Sequence, residues 1–281
     1  MPKADIVLTL RLALNALLSL IVCAVFGLSQ PNAAKAAPEG PDKTQQYLAN
    51  ATKGDPEAQF LLGKTYAALN SQDNLAKAVE WWTKAADQGH SKAQYSLGRA
   101  YAKGAGVPLD LVKAASWCQK AADSGLPEAQ FYLGFAYAKG DGLIKDFTQA
   151  VEWWRKAADK DYPAAQYLLG VAYATGDGAE KDLATANMWW GKAADQGFAG
   201  AQYLLGRAYA NGDGTAQDPT KAVELWRKAA DQNFAKAQYS LGKAYVDGVG
   251  VAKDMALAKE WLKKAADQGE ELAVIELKNL K

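Results

Sequence analysis

The sequence predicts an all-α fold built as a linear stack of six two-helix units of about 36 residues each, with a half-unit at either end. Three observations carry this. The segment Ala58-Gln59-Phe60-Leu61-Leu62-Gly63 returns in related form at Ala93, Ala129, Ala165, Ala201 and Ala237, at spacings of 35, 36, 36, 36 and 36 residues. A Gly-x-Gly tripeptide follows at 104–106, 140–142, 176–178, 212–214 and 248–250. Lys-Ala-Ala-Asp then closes each unit, at 84–87, 120–123, 156–159, 192–195, 228–231 and 264–267. Six copies in phase identify an array in which each unit buries its apolar face against its neighbours.

Residues 1–36 stand apart. Lys3 and Arg11 precede an apolar run from Leu12 to Leu28, and Ala34-Lys35-Ala36 supplies a small-residue cleavage pattern. That order reads as a secretory signal peptide. The 17 residues of the run also sit at the lower edge of a membrane-spanning length. The expected location is therefore the periplasm or the exterior, the alternative being an inner-membrane anchor with the repeats outside the cytoplasm. Any membrane contact runs only through this segment. Cys23 lies inside the apolar run. Removing residues 1–36 takes the formal charge of +1 to about −1, so no basic excess exists to neutralise nucleic acid. One histidine, His90, and two cysteines exclude a Cys/His zinc cluster and a disulfide framework. No cofactor is expected.

After a linker at 37–43, residues 44–54 read as a capping helix, with Tyr47 where a repeat would carry its second tryptophan. The six repeats follow at about 55–89, 90–125, 126–161, 162–197, 198–233 and 234–269. In each first helix, positions such as Leu97, Ala100 and Tyr101 share one face with Ala93 at helical spacing. Gly98 flanks that face and permits close helix approach, and Gly-x-Gly reverses the chain. The second helix is expected to start at Asn74, Asp110, Asp146, Asp182, Asp218 or Asp254, all N-capping residue types. Pro219 occupies a first-turn position, and Gln149 follows Asp146 as a capping box requires. This helix carries all nine tryptophans and ends at Gly89, Gly125, Asp161, Gly197, Asn233 or Gly269, types that tolerate a left-handed backbone. Its terminal Lys–Asp pairs, such as Lys84–Asp87, are spaced for i,i+3 contact. A polar half-repeat at 270–281 closes the array, with Lys278 in place of the glycine.

The pattern A-x-x-x-L-G-x-x-Y, G-x-G, D-x-x-x-A, W-W/C-x-K-A-A-x-x-G resembles Sel1-like repeats, relatives of the tetratricopeptide repeat, over about residues 45–281. The resemblance implies a right-handed α/α superhelix that works as an adaptor between proteins. It also implies roles in envelope assembly, signalling or host contact for members outside the cytoplasm. Some cysteine-rich members are linked to penicillin binding or β-lactamase activity, through repeats that carry cysteine pairs; this chain has no such pairs.

No set of residues forms a recognisable catalytic or metal site. Asp141, Asp177 and Asp213, with Asp146, Asp182 and Asp218 five residues on, lack the further ligands of a calcium loop. They read as turn and cap residues. His90 falls at a helix junction where other units have Leu126, Tyr162, Phe198 and Phe234. Cys118 replaces a second tryptophan and reads as a buried small hydrophobe. Neither Ser-x-x-Lys nor Gly-x-Ser-x-Gly occurs.

The functional expectation rests on the first helices. Phe60, Tyr95, Phe131, Tyr167, Tyr203 and Tyr239 lie about 200° from the repeated alanine. Four residues on come Lys64, Arg99, Phe135, Val171, Arg207 and Lys243. If first helices line a concave surface, as in related solenoids, these positions form an aromatic ladder with basic, then apolar, then basic flanks. The candidate partner-binding residues are Phe60, Tyr95, Arg99, Phe131, Phe135, Tyr167, Tyr203, Arg207, Tyr239 and Lys243; aromatics and arginine are the types enriched at binding surfaces. The alternative packs the aromatics between neighbouring repeats, which periodicity does not distinguish. The functional expectation is a non-enzymatic scaffold for a protein or peptide. A β-lactamase-like hydrolase and a carbohydrate-binding envelope protein are the rival readings.

Overall fold

The computed structural model describes residues 41–280, so the expected signal segment lies outside the described residues. Among the described residues there are fourteen helices and no strand, none of them long and apolar enough to cross a membrane. The described residues divide into two compact units, on either side of the boundary between 160 and 161. The first holds α1 (Pro41–Thr52), α2 (Pro56–Ala68), α3 (Gln72–Asp87), α4 (Ser91–Lys103), α5 (Leu111–Asp123), α6 (Pro127–Lys139) and α7 (Phe147–Ala158). The second holds α8 (Pro163–Thr175), α9 (Leu183–Asp195), α10 (Ala199–Asn211), α11 (Pro219–Asp231), α12 (Ala235–Asp247), α13 (Met255–Asp267) and α14 (Glu271–Asn279). Within each unit a helix packs on its repeat partner and on its successor in sequence. This is the all-α repeat array that the sequence predicts.

Each repeat closes by the same local chemistry. In the third, α6 ends at Gly140 in the left-handed region, φ 82°, where the glycine N–H donates to the Ala136 carbonyl at 2.8 Å. Gly142 is also left-handed, and a Cβ on it would overlap the Leu111 backbone at the start of the preceding second helix. Asp146 then caps α7, its Oδ1 accepting from Thr148 N at 2.8 Å and Gln149 N at 3.1 Å. Its own N–H donates to the Tyr137 carbonyl at 3.0 Å, tying the turn to the helix it left. That bond occupies the N–H from which a capping-box glutamine would accept, so the expected capping box is not made, and Gln149 Nε2 donates to Glu152 at 3.2 Å.

The paired helices approach closely because a glycine faces a tryptophan. A Cβ at Gly170 would stand 2.5 Å from the Trp190 indole and 3.0 Å from the Ala186 carbonyl. With glycine there, the Trp190 N–H reaches the Tyr167 carbonyl at 3.2 Å. Cys118 takes the tryptophan's place in the second repeat, fully enclosed against Gly98. Burial pushes its thiol well above the ordinary range, so it is an inert packing residue, as expected.

Three local expectations need correction. Ser71, not Asn74, caps α3, accepting from Asn74 N at 3.3 Å, because the helix begins a turn earlier at Gln72. Lys84, Lys120, Lys156, Lys192 and Lys264 lie 3.6–4.2 Å from the centroid of the tryptophan three residues back, rather than marking Lys–Asp pairs. The indole face offers a partly desolvated site, whereas the aspartate three residues on is exposed at the helix end. The last helix is also less polar than expected, since Leu272, Val274 and Ile275 are exposed on α14.

Candidate interaction site

Within each unit, a glutamine after the repeated alanine fixes how a first helix seats on the second helix before it. Gln59, Gln94, Gln130, Gln166, Gln202 and Gln238 are all buried. Gln94 Nε2 donates to the Ala86 carbonyl at 3.1 Å, and Gln202 and Gln238 make the same bond to Ala194 and Ala230 at 3.2 Å. These bonds satisfy carbonyls that a helix end leaves open. A second glutamine closes the network: Gln88, Gln196, Gln232 and Gln268 donate to Gln59, Gln166, Gln202 and Gln238 at 2.7–2.8 Å. In the second and third repeats that place is held by Ser124 and Lys160, and there the Oε1 atoms of Gln94 and Gln130 lack a partner. Repetition at six equivalent positions was the available sequence signal for this network.

Within the units, that seating brings three ladder aromatics onto the junction residue of the next repeat. Phe60 stacks on His90 with centroids 4.9 Å apart. Tyr167 meets Phe198 at 5.2 Å, and Tyr203 meets Phe234 at 5.5 Å. His90 is a junction residue and more: its Nδ1 accepts from Ala93 N at 3.1 Å, capping α4, while Nε2 reaches Glu57 at 2.8 Å. With Nδ1 accepting, the ring proton sits on Nε2.

The ten candidate residues divide into two sets. Phe131, Phe135 and Tyr167 are 1%, 4% and 3% exposed, and Phe60 is 8% exposed, so these four pack inside the fold and offer a partner almost no surface. Tyr95, Arg99, Tyr203, Arg207, Tyr239 and Lys243 are half-buried and keep an open side. Arg99 lies over the Tyr95 ring at 5.7 Å, and Arg207 over Tyr203 at 5.9 Å. Each is an aromatic–cation couple four residues apart on one helix face.

The electrostatics differ between these couples. Arg99 Nε is enclosed without a hydrogen-bond partner. One turn on, burial and then the Arg99 charge pull Lys103 down to about 8. Lys243 is instead neutralised, by Asp247 at 3.0 Å and Glu276 at 3.4 Å. The hydrogen bond to Asp247, and the charges of both carboxylates, raise its pKa above the usual lysine value. Burial raises the Tyr203 phenol, against the pull of Arg207. Among the described residues no group of three or more His, Cys, Asp or Glu side chains is placed to hold a metal ion. Asp182 and Asp218 are engaged as caps, and hydrogen bonds to Thr185 and Lys221 respectively hold their carboxyls below the usual range.

Comparison with known sequences and structures points one way. The Sel1 repeat model matches residues 56–90, 91–126, 127–162, 163–198, 199–234 and 235–270. A protective antigen of uropathogenic Escherichia coli strains, displaying an SLR fold, is similar at 35% identity with a TM-score of 0.80. That match covers 83% of this chain and 50% of the antigen, so the chain spans half the length of that relative. A Sel1 repeat protein from Oxalobacter formigenes is similar at 32% identity with a TM-score of 0.70, covering 76% of this chain and 86% of that one. No curated protein matches the chain.

Proposed function

The chain belongs to the Sel1 repeat family, and we propose that it is an exported, non-enzymatic adaptor that holds a protein or peptide against the open positions of its first helices. One observation carries the reading. The couples Tyr95–Arg99 and Tyr203–Arg207 keep solvent-facing surface at the same register where Phe131 and Tyr167 are enclosed. Aromatic residues and arginine are the types that dominate binding energy when a partner desolvates them. The second helices offer no comparable stripe, because their tryptophans lie on glycines or under lysines. Export rests on the basic, apolar and small-residue order of residues 1–36. On that reading the adaptor works in the periplasm or outside the cell.

A photoreactive amino acid at Tyr95 or Tyr203, irradiated in the intact source cell, is expected to yield a discrete adduct with one partner. The same residue at Glu152, on the outer face of α7, is expected to yield none. Equal adducts from all three sites, or none from the first two, would remove this reading.

A further inference from the structure

Within the second unit a cavity of 210 Å³ opens among α10, α11 and α12. Ala222 and Trp226 of α11, Tyr239, Ser240 and Ala244 of α12, and Val249 of the following turn form most of its wall. The repeat pattern explains why the space is there. Three residues after the repeated alanine stand Tyr132, Leu168 and Leu204 in the third, fourth and fifth repeats, and all three are buried. In the sixth repeat the same position is Ser240, one carbon and a hydroxyl. The second repeat has Ser96 at this position; in the sixth, the volume that Leu204 fills in the fifth repeat is vacated, and most of the walls remain apolar. Tyr239 and Lys243, the open ladder couple of that repeat, stand at the same cavity. The void therefore opens onto the face proposed above for the partner.

We propose that this cavity is an anchor pocket for one leucine- or isoleucine-sized side chain of a partner segment, with a lysine or arginine beside it in that segment. The inference rests on the adaptor reading and specifies what its partner must carry. The apolar half follows from the walls, since water in such a space has few polar groups to bond. The basic half follows from charge. Lys243 and Asp247 line the cavity, and Lys243 is shared between Asp247 and Glu276, so two carboxylates face one ammonium there. Arg207, the cation of the preceding ladder couple, is engaged over Tyr203. A cation from the partner completes that balance, whereas an acidic residue there meets repulsion.

The test uses the full chain and a defined probe, acetyl-leucyl-lysine amide, titrated while the Trp226 indole and the Ala244 and Val249 amide signals are followed. Saturable shifts at these three sites are expected, with acetyl-glycyl-lysine amide giving none. Ser240→Leu, which restores the residue of the fifth repeat, is expected to weaken the leucyl probe by at least about tenfold while raising Tm. Ser240→Ala keeps the space and is expected to keep the binding. Absent shifts, equal shifts from both probes, or undiminished binding by folded Ser240→Leu would overturn the pocket. If the probe fails while Tyr95 and Tyr203 still yield an adduct, the pocket falls and the adaptor reading stands. If the adducts are missing while the probe binds, the adaptor reading falls alone.

Discussion

The helices α4 and α6 are built to one pattern, yet they put the same register positions to opposite uses. In α6 the aromatic is Phe131 and the residue four positions on is Phe135, and both are enclosed. In α4 the corresponding pair is Tyr95 and Arg99, and both keep an open side. The second unit repeats the contrast, with Tyr167 and Val171 of α8 enclosed and Tyr203 and Arg207 of α10 half open. In these four helices the residue four positions on separates the two classes: an apolar one goes with enclosure of the couple, and arginine goes with exposure; in α2 Phe60 is enclosed while Lys64 is exposed. One periodic scaffold thus yields core in some repeats and surface in others without a change of backbone.

The largest effect that would break this contrast is on stability. Phe131→Ala should cost about 3–5 kcal/mol, read as a lower denaturation midpoint. Tyr203→Ala should cost about 1–2 kcal/mol, because a half-exposed ring has already lost part of its transfer gain. Equal costs would mean that the two positions are not different environments. Glycine substitutions sharpen the same point. Gly170→Ala drives a Cβ into Trp190 and should cost about 1–3 kcal/mol. Gly191→Ala, with nothing within 4 Å of the added carbon, should stabilise α9 by about 0.4–1 kcal/mol. Thermal or urea unfolding of both variants decides the sign.

Much of the scaffold was legible in the sequence because its rules are local. Asp146 reads as a cap from residue type and position, and Gly142 as a turn from its tripeptide. Asp161 and Asn233 stand where a left-handed residue is needed, and they have φ of 57° and 65°. The error at Asn74 has the same local origin: both Ser71 and Asn74 are capping types, and the choice depends on where α3 gains its first packing contacts. The division of the ladder was not legible from periodicity. The angle of Phe131 around its own helix says nothing about the neighbouring elements that enclose it. The buried glutamines show a related blind spot. A polar residue repeated six times reads as solvated until the helix-end carbonyls beside it are seen.

That network yields a smaller prediction inside the enclosed region. Ser124→Gln supplies the donor that Gln94 Oε1 lacks, as Gln88 does for Gln59. It should stabilise the protein by about 0.5–1.5 kcal/mol, and the gain should vanish in a Gln94→Leu background. The smallest effect concerns acid. The caps Asp110, Asp182 and Asp218 have folded-state pKa values below the ordinary carboxylate value. Their contribution is therefore complete above the unfolded pKa of about 4, and it is lost as pH falls through the folded value. Asn at position 182 caps without titrating, so Asp182→Asn should make the loss of Tm below about pH 4 slightly shallower.

The most direct measurement of the contrast is hydroxyl-radical footprinting of the native chain, with oxidation read residue by residue. Tyr95, Tyr203 and Tyr239 should be modified at rates well above those of Phe131, Phe135 and Tyr167, and unfolding should erase the difference. Native-state modification of Tyr167 or Phe131 as fast as that of Tyr239 would contradict the division of the ladder into core and binding positions.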